Sequence, residues 1–106
     1  MTILDCVEVW VNSLVGVFES AGTVIYFKRT IDDRPKQSCA LHFQQHFVDV
    51  DFIVWDSGEA ELAVKQKAGL ATQEHFAGLA DPVALSAVLA RLMTIIRSTN
   101  PRIDAR

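Results

Sequence analysis

Four carboxylates stand in two alternating pairs, Asp49 and Asp51, then Glu59 and Glu61, with Asp56 as a fifth acid between them. A carboxylate pair can do general acid–base work, but only inside a pocket that raises one pKa. On an open face the same residues attract a basic surface instead. Ile53 and Trp55 share the parity of Asp49 and Asp51 within the run 48–55, so an aromatic side chain stands among the acids. An aromatic anchor ringed by carboxylates has the make-up of an interface for a basic partner. Two plainer readings oppose it: a solvated sheet face, or a Trp55 covered by the C-terminal segment.

Other chemistry finds little support. The chain contains no Ser-His-Asp order, Walker loop, G-x-G-x-x-G, H-E-x-x-H or C-x-x-C. His42 and His46 have metal spacing only on a helix, and on a strand they would lie about 13 Å apart, so both read as solvated, as does His75. Cys39 shares parity with Leu41 and Phe43 and reads as a small buried hydrophobe. A Cys6–Cys39 disulfide is neither excluded nor supported. Lys28, Arg29, Arg34 and Lys36 are interrupted by Asp32 and Asp33, and read as a solvated loop rather than a phosphate site. No cofactor and no metal are expected.

The elements that must position the acids follow from periodicity. Val48, Val50, Phe52 and Val54 alternate with polar residues, as do Ala60, Leu62 and Val64. A three-residue loop, Asp56-Ser57-Gly58, pairs Val54 with Ala60, Phe52 with Leu62, Val50 with Val64 and Asp49 with Lys65. A two-residue loop would mix buried and exposed faces, so the longer loop is predicted, with Gly58 left-handed. The predicted register gathers Asp49, Asp51, Glu59 and Glu61 on one face.

Ile3, Val7, Trp10, Val11, Leu14 and Phe18 form a helical stripe over 3–20, although a strand over Val7–Val11 is an alternative. Ala21-Gly22 is the expected C-cap region, and Thr23–Thr30 reads as a strand. Ser38–Gln44 reads as a half-buried strand. Because Gln45-His46 lacks a turn residue, residues 38–55 are either two strands or one bulged strand. Ala68-Gly69 marks a turn, and Ala71–Phe76 is a short strand or a loop. Asp81-Pro82 starts a helix with Leu85, Val88, Leu89, Leu92 and Ile96 on one stripe, stopped by Asn100-Pro101. The tail 98–106 is expected to fray. The predicted class is α+β: two layers, an N-terminal helix, a three- to four-stranded antiparallel sheet and a C-terminal helix.

Composition bounds the rest. The chain has 106 residues, 50% hydrophobic and 22% charged, with net charge −3 and two cysteines. One domain over 1–106 is expected, neither disordered nor disulfide-built. No apolar run reaches membrane-spanning length, and Met1-Thr2-Ile3-Leu4-Asp5 has no basic region of a secretory signal, so a cytoplasmic location is expected. Mild acidity argues against nucleic acid as a partner.

The run Ile53-Val54-Trp55-Asp56-Ser57-Gly58-Glu59-Ala60-Glu61-Leu62 resembles the tryptophan hairpin of small bacterial immunity proteins. These are encoded beside polymorphic toxins of the Rhs and type VI secretion kind, and the TriTu-like family is the nearest subgroup. The order around the hairpin is similar too, including the Ser38-Cys39 strand. The resemblance implies a non-enzymatic protein, a monomer or weak dimer. It would bind a toxin domain with a basic surface, an ADP-ribosyltransferase in that subgroup, and occlude its active site. Charge complementarity then nominates Asp49, Asp51, Trp55, Asp56, Glu59 and Glu61 as contacts, with Asp32 and Asp33 at the rim. The rival readings are a secretion chaperone holding an extended client segment, and an enzyme using the sheet-face acids.

Overall fold

Thr2 and Asp5 start the first element. The Thr2 hydroxyl accepts the Asp5 N–H at 3.2 Å, and the Asp5 carboxylate accepts the Thr2 N–H at 2.8 Å. This reciprocal capping box satisfies two donors at the start of helix α1 (Ile3–Ser20). The helix ends as a Schellman turn: Thr23 N–H donates to Phe18 C=O and Gly22 N–H to Glu19 C=O. The strand alternative for residues 7–11 is thereby excluded. Leu4, Val7, Val11 and Phe18 are buried; Val9 and Val17, off the stripe, are exposed.

Asp5 also receives Arg29 Nη1–H at 2.8 Å. The Thr2 backbone N–H first, and then this guanidinium, hold its carboxyl down from 3.8 to about 2. A folded-state pKa below the unfolded one stabilises above about pH 4, and that stabilisation is lost as pH falls towards the lower value. Asp5→Asn is therefore expected to lower stability at neutral pH, with the gap from the native chain closing between pH 4 and 2. Urea unfolding across that window measures it. A constant gap would show that Asp5 is not the titrating group.

The computed structural model describes residues 2–30, 35–45, 47–67 and 69–99. After α1 come β1 (Val24–Arg29), β2 (Ser38–Gln44), β3 (Val48–Trp55), β4 (Ala60–Gln66), β5 (Ala71–Phe76) and α2 (Pro82–Thr99). The strands form one antiparallel meander in the order β1-β2-β3-β4-β5. Asp81 caps α2 by accepting Val83 N–H at 3.1 Å, with Pro82 at the first helical position. The inward residues of β2, β3 and β4 join the buried stripes of both helices in a single core, so among the described residues one face of the sheet is covered and the other is left open. No helix among the described residues is long and apolar enough to cross a membrane.

The class is the predicted α+β, but the sheet has five strands rather than three or four. Residues 71–76 are the fifth, and their pattern hid it because an edge strand buries little: only Glu74 and Phe76 are half-buried. Arg91 of α2 salt-bridges Glu74, so a charge takes an inward position where the sequence pattern calls for an apolar residue. Residues 38–55 are two strands. Gln45 N–H donates to Val48 C=O at 3.0 Å, and the buried Gln45 side chain accepts Thr23 Oγ1–H at 2.7 Å, a polar anchor in place of a glycine turn. Helix α2 runs through Ser98 to Thr99, and Asn100-Pro101 and the rest of the tail lie outside the described residues.

Candidate functional site: the open sheet face

The β3–β4 register is the one predicted, with Val54 opposite Ala60, Phe52 opposite Leu62, Val50 opposite Val64 and Asp49 opposite Lys65. Trp55 N–H donates to Glu59 C=O and Gly58 N–H to Trp55 C=O, which closes the three-residue loop with Gly58 at φ 91°. Asp49, Asp51 and Glu61 consequently stand half-exposed on the face that the helices do not cover.

Across that face the side chains form rows. One runs Tyr26, His42, Asp51, Ala63, Gln73; the next runs Lys28, Ala40, Ile53, Glu61, His75. Ala40 and Ala63 are too small to fill their places, and a concavity of about 360 Å³ opens above them. Ile53 shares its floor, while Tyr26, Lys28, His42, Asp51 and Glu61 stand around it.

His42 is not the solvated residue expected. Its Nδ1 lies 2.6 Å from Asp51 Oδ1, and its ring lies 5.9 Å from that of Tyr26. A carboxylate oxygen accepts, so the imidazole hydrogen sits on Nδ1. Glu61 accepts from Gln73 Nε2 at 3.4 Å and lies 3.8 Å from His75 Nδ1, so His75 too has a carboxylate neighbour. Neither histidine is marked by its sequence neighbours. The missing information is the β1–β2 and β2–β3 registers, which bring Tyr26 and Asp51 to either side of His42.

Trp55 is half-buried, and among the described residues a lysine lies over its ring, while the tail beyond Thr99, expected as a cover, lies outside them. Lys36 Nζ is 5.1 Å from the Trp55 ring centroid and 3.7 Å from Glu59 Oε1. The anchor already holds a cation from its own chain, a cation–π contact worth about 0.5–1 kcal/mol at an exposed site. Asp56 is a tether: its carboxylate accepts Gln37 N–H at 3.1 Å, and its own N–H donates to Gln37 C=O at 2.9 Å. That doublet pins the approach to β2 against the hairpin tip. Asp32 and Asp33, the expected rim acids, lie outside the described residues, as do Arg34 and His46. The basic residues that are described do not form a patch, because Arg29 is bound to Asp5 and Glu8 while Lys36 serves Trp55 and Glu59.

Cys39 is the buried hydrophobe expected. Burial pushes its thiol up to about 11, so it is no thiolate nucleophile at neutral pH. Both cysteines are free. Among the described residues no group of three or more His, Cys, Asp and Glu side chains could hold a metal ion.

The face offers carboxylates, an oriented imidazole and two aromatic rings on a shallow surface. The carboxylates can accept hydrogen bonds, and the aromatic faces can stack against a cation. Compared with protein-family models, curated proteins and solved structures, the chain finds no match in any of the three.

Proposed function

We propose that the protein is a binding module of the immunity type, a non-enzymatic antitoxin that neutralises a cognate toxin domain in the cytoplasm by occluding its active site. One observation carries the reading: both helices cover the apolar side of the sheet, leaving the acid-bearing side open around a concavity. The resemblance of Ile53–Leu62 to the immunity hairpin agrees with it and nominates an ADP-ribosyltransferase as the toxin. A basic toxin surface would meet Asp49, Asp51, Glu59 and Glu61, and a projecting basic side chain would enter the concavity between Asp51 and Glu61 beside Tyr26. Long-range attraction of this kind acts chiefly on the association rate.

The test is co-expression with the variable terminal domain encoded immediately upstream, scored by survival, with binding measured in parallel. Asp49→Asn, Asp51→Asn, Glu59→Gln and Glu61→Gln together keep shape while removing charge. We expect the on-rate to fall by about 10-fold or more, with loss of protection. Unchanged protection and affinity in a folded variant would reject the acidic face.

A second reading, a secretion chaperone, has its own observation. An apolar groove of about 440 Å³ lies between α1 and α2, lined by Ile3, Cys6, Trp10, Leu85 and Leu89. For a chaperone, Trp10→Lys would abolish client binding while the four-carboxylate variant retained it. An immunity protein gives the opposite pattern.

A further inference from the structure

The two edges of the sheet are built differently. An edge strand displays unpaired N–H and C=O groups, and proteins usually blunt it with charge, proline or a bulge. β5 follows that rule with Thr72, Gln73, Glu74 and His75, and Glu74 is tied to Arg91. β1 does not. Val24-Ile25-Tyr26-Phe27 is β-branched and aromatic throughout, and the strand runs in unbroken register with β2, without proline or bulge. Among the described residues it pairs with β2 alone.

The core rows stop short at this edge. Ile25 continues the row of Phe43 and Val50, and Phe27 that of Leu41 and Phe52. Those four neighbours are 0–1% exposed, whereas Ile25 and Phe27 are only half-buried. On the open face Tyr26 is 58% exposed and Val24 44%. One more strand beside β1 would cover all four.

We infer that the strand is β1 of a second copy of this chain, paired antiparallel about a two-fold axis through Tyr26, making two five-stranded sheets continuous. The choice of occupant rests on self-complementarity. With the axis at Tyr26, Val24 meets Lys28 of the second copy, Ile25 meets Phe27, Tyr26 meets Tyr26, and Arg29 reaches Thr23 only at the end of the pairing. Ile25, Phe27 and Tyr26 then meet apolar or aromatic partners, the Lys28 stem lies along Val24, and the two Lys28 side chains stand about 13 Å apart along the strands, beyond the physiological screening length. An axis at Phe27 would set Arg29, already held by Asp5 and Glu8, against Ile25. An axis at Ile25 would set Phe27 against Thr23, outside the strand, and leave Phe27 without an apolar partner. The Tyr26 axis also brings the two concavities together, since Tyr26 borders each one. This pairing stands independently of the proposed toxin binding.

Light scattering on the full chain over a concentration series is the test. The mass is expected to rise from that of the 11.8 kDa chain to twice that value. Tyr26→Lys changes an exposed side chain and sets two like charges on the axis, so it should stay monomeric with an unchanged circular dichroism spectrum. Mixing Tyr26→Lys with Tyr26→Glu in equal amounts should restore the dimer. A chain that is monomeric at every concentration, a dimer indifferent to Tyr26→Lys, or a mixture that fails to associate would each overturn the inference.

Discussion

Gly58→Val will lower the unfolding free energy by about 3 kcal/mol or more, from two causes that add. The first is backbone strain: Gly58 has φ 91°, where a β-branched residue costs about 1–3 kcal/mol. The second is space. A Cβ at position 58 would lie 2.9 Å from the Ala80 nitrogen and 3.2 Å from the Leu79 nitrogen, backbone atoms that cannot rotate away. Overpacking of this kind costs about 1–3 kcal/mol. The contact exists because Leu79 N–H donates to Gly58 C=O at 2.9 Å, docking the segment before α2 onto the hairpin tip.

Gly69 supplies the internal control. It has φ 98° in the turn between β4 and β5, and a Cβ added there would have nothing within 4 Å. Gly69→Ala should therefore show the strain alone, about 1 kcal/mol, and Gly58→Ala clearly more. Urea unfolding of the two alanine variants measures the difference. Equal losses would mean that the close approach of Leu79 and Ala80 carries no weight.

Phe43→Ala will cost about 3–5 kcal/mol, the range for deleting a fully buried aromatic side chain. Phe43 is 0% exposed, and its ring meets that of Phe18 edge-on, with centroids 5.7 Å apart. It therefore couples the sheet to α1. A double-mutant cycle with Phe18→Ala should give a coupling of about 0.5–1.5 kcal/mol, the usual worth of such a pair beyond its burial. A domain of this size has only about 5–15 kcal/mol in all, so the single variant is expected to be marginal at 37 °C. A loss below about 1.5 kcal/mol would show that the neighbours close over the space.

These two sites also show how unevenly the fold is legible in the chain. Phe43 and Gly58 are both plain: strict alternation puts Phe43 on the apolar face, and the demand for one apolar face selects the three-residue loop that needs Gly58. The stripe of α2 is equally clear, since Leu85, Val88, Leu89, Leu92 and Ile96 are all buried. β5 is obscure because its neighbours do its work: Arg91 neutralises Glu74, and Glu61 partners His75. The β2–β3 turn is obscure because a buried Thr23–Gln45 hydrogen bond holds it, 22 residues apart in the chain.

Of the candidate site, parity alone put Asp49, Asp51, Glu59 and Glu61 on one side of the sheet, because successive strand residues face opposite ways whatever the tertiary context. What each acid touches was decided elsewhere. Asp51 meets His42 and Glu61 meets His75 through strand registers that no local pattern encodes, and Lys36 reaches Trp55 from a connection that Asp56 and Gln37 hold in place. The chain by itself thus determined the two helical stripes, the hairpin register and the sidedness of the acids, all set by local geometry and by apolar burial on one face. Only the tertiary structure decided the fifth strand, the concavity, the cation over the tryptophan and the uncovered apolar half of the β1 edge. Each of those depends on which segments, distant in sequence, lie side by side.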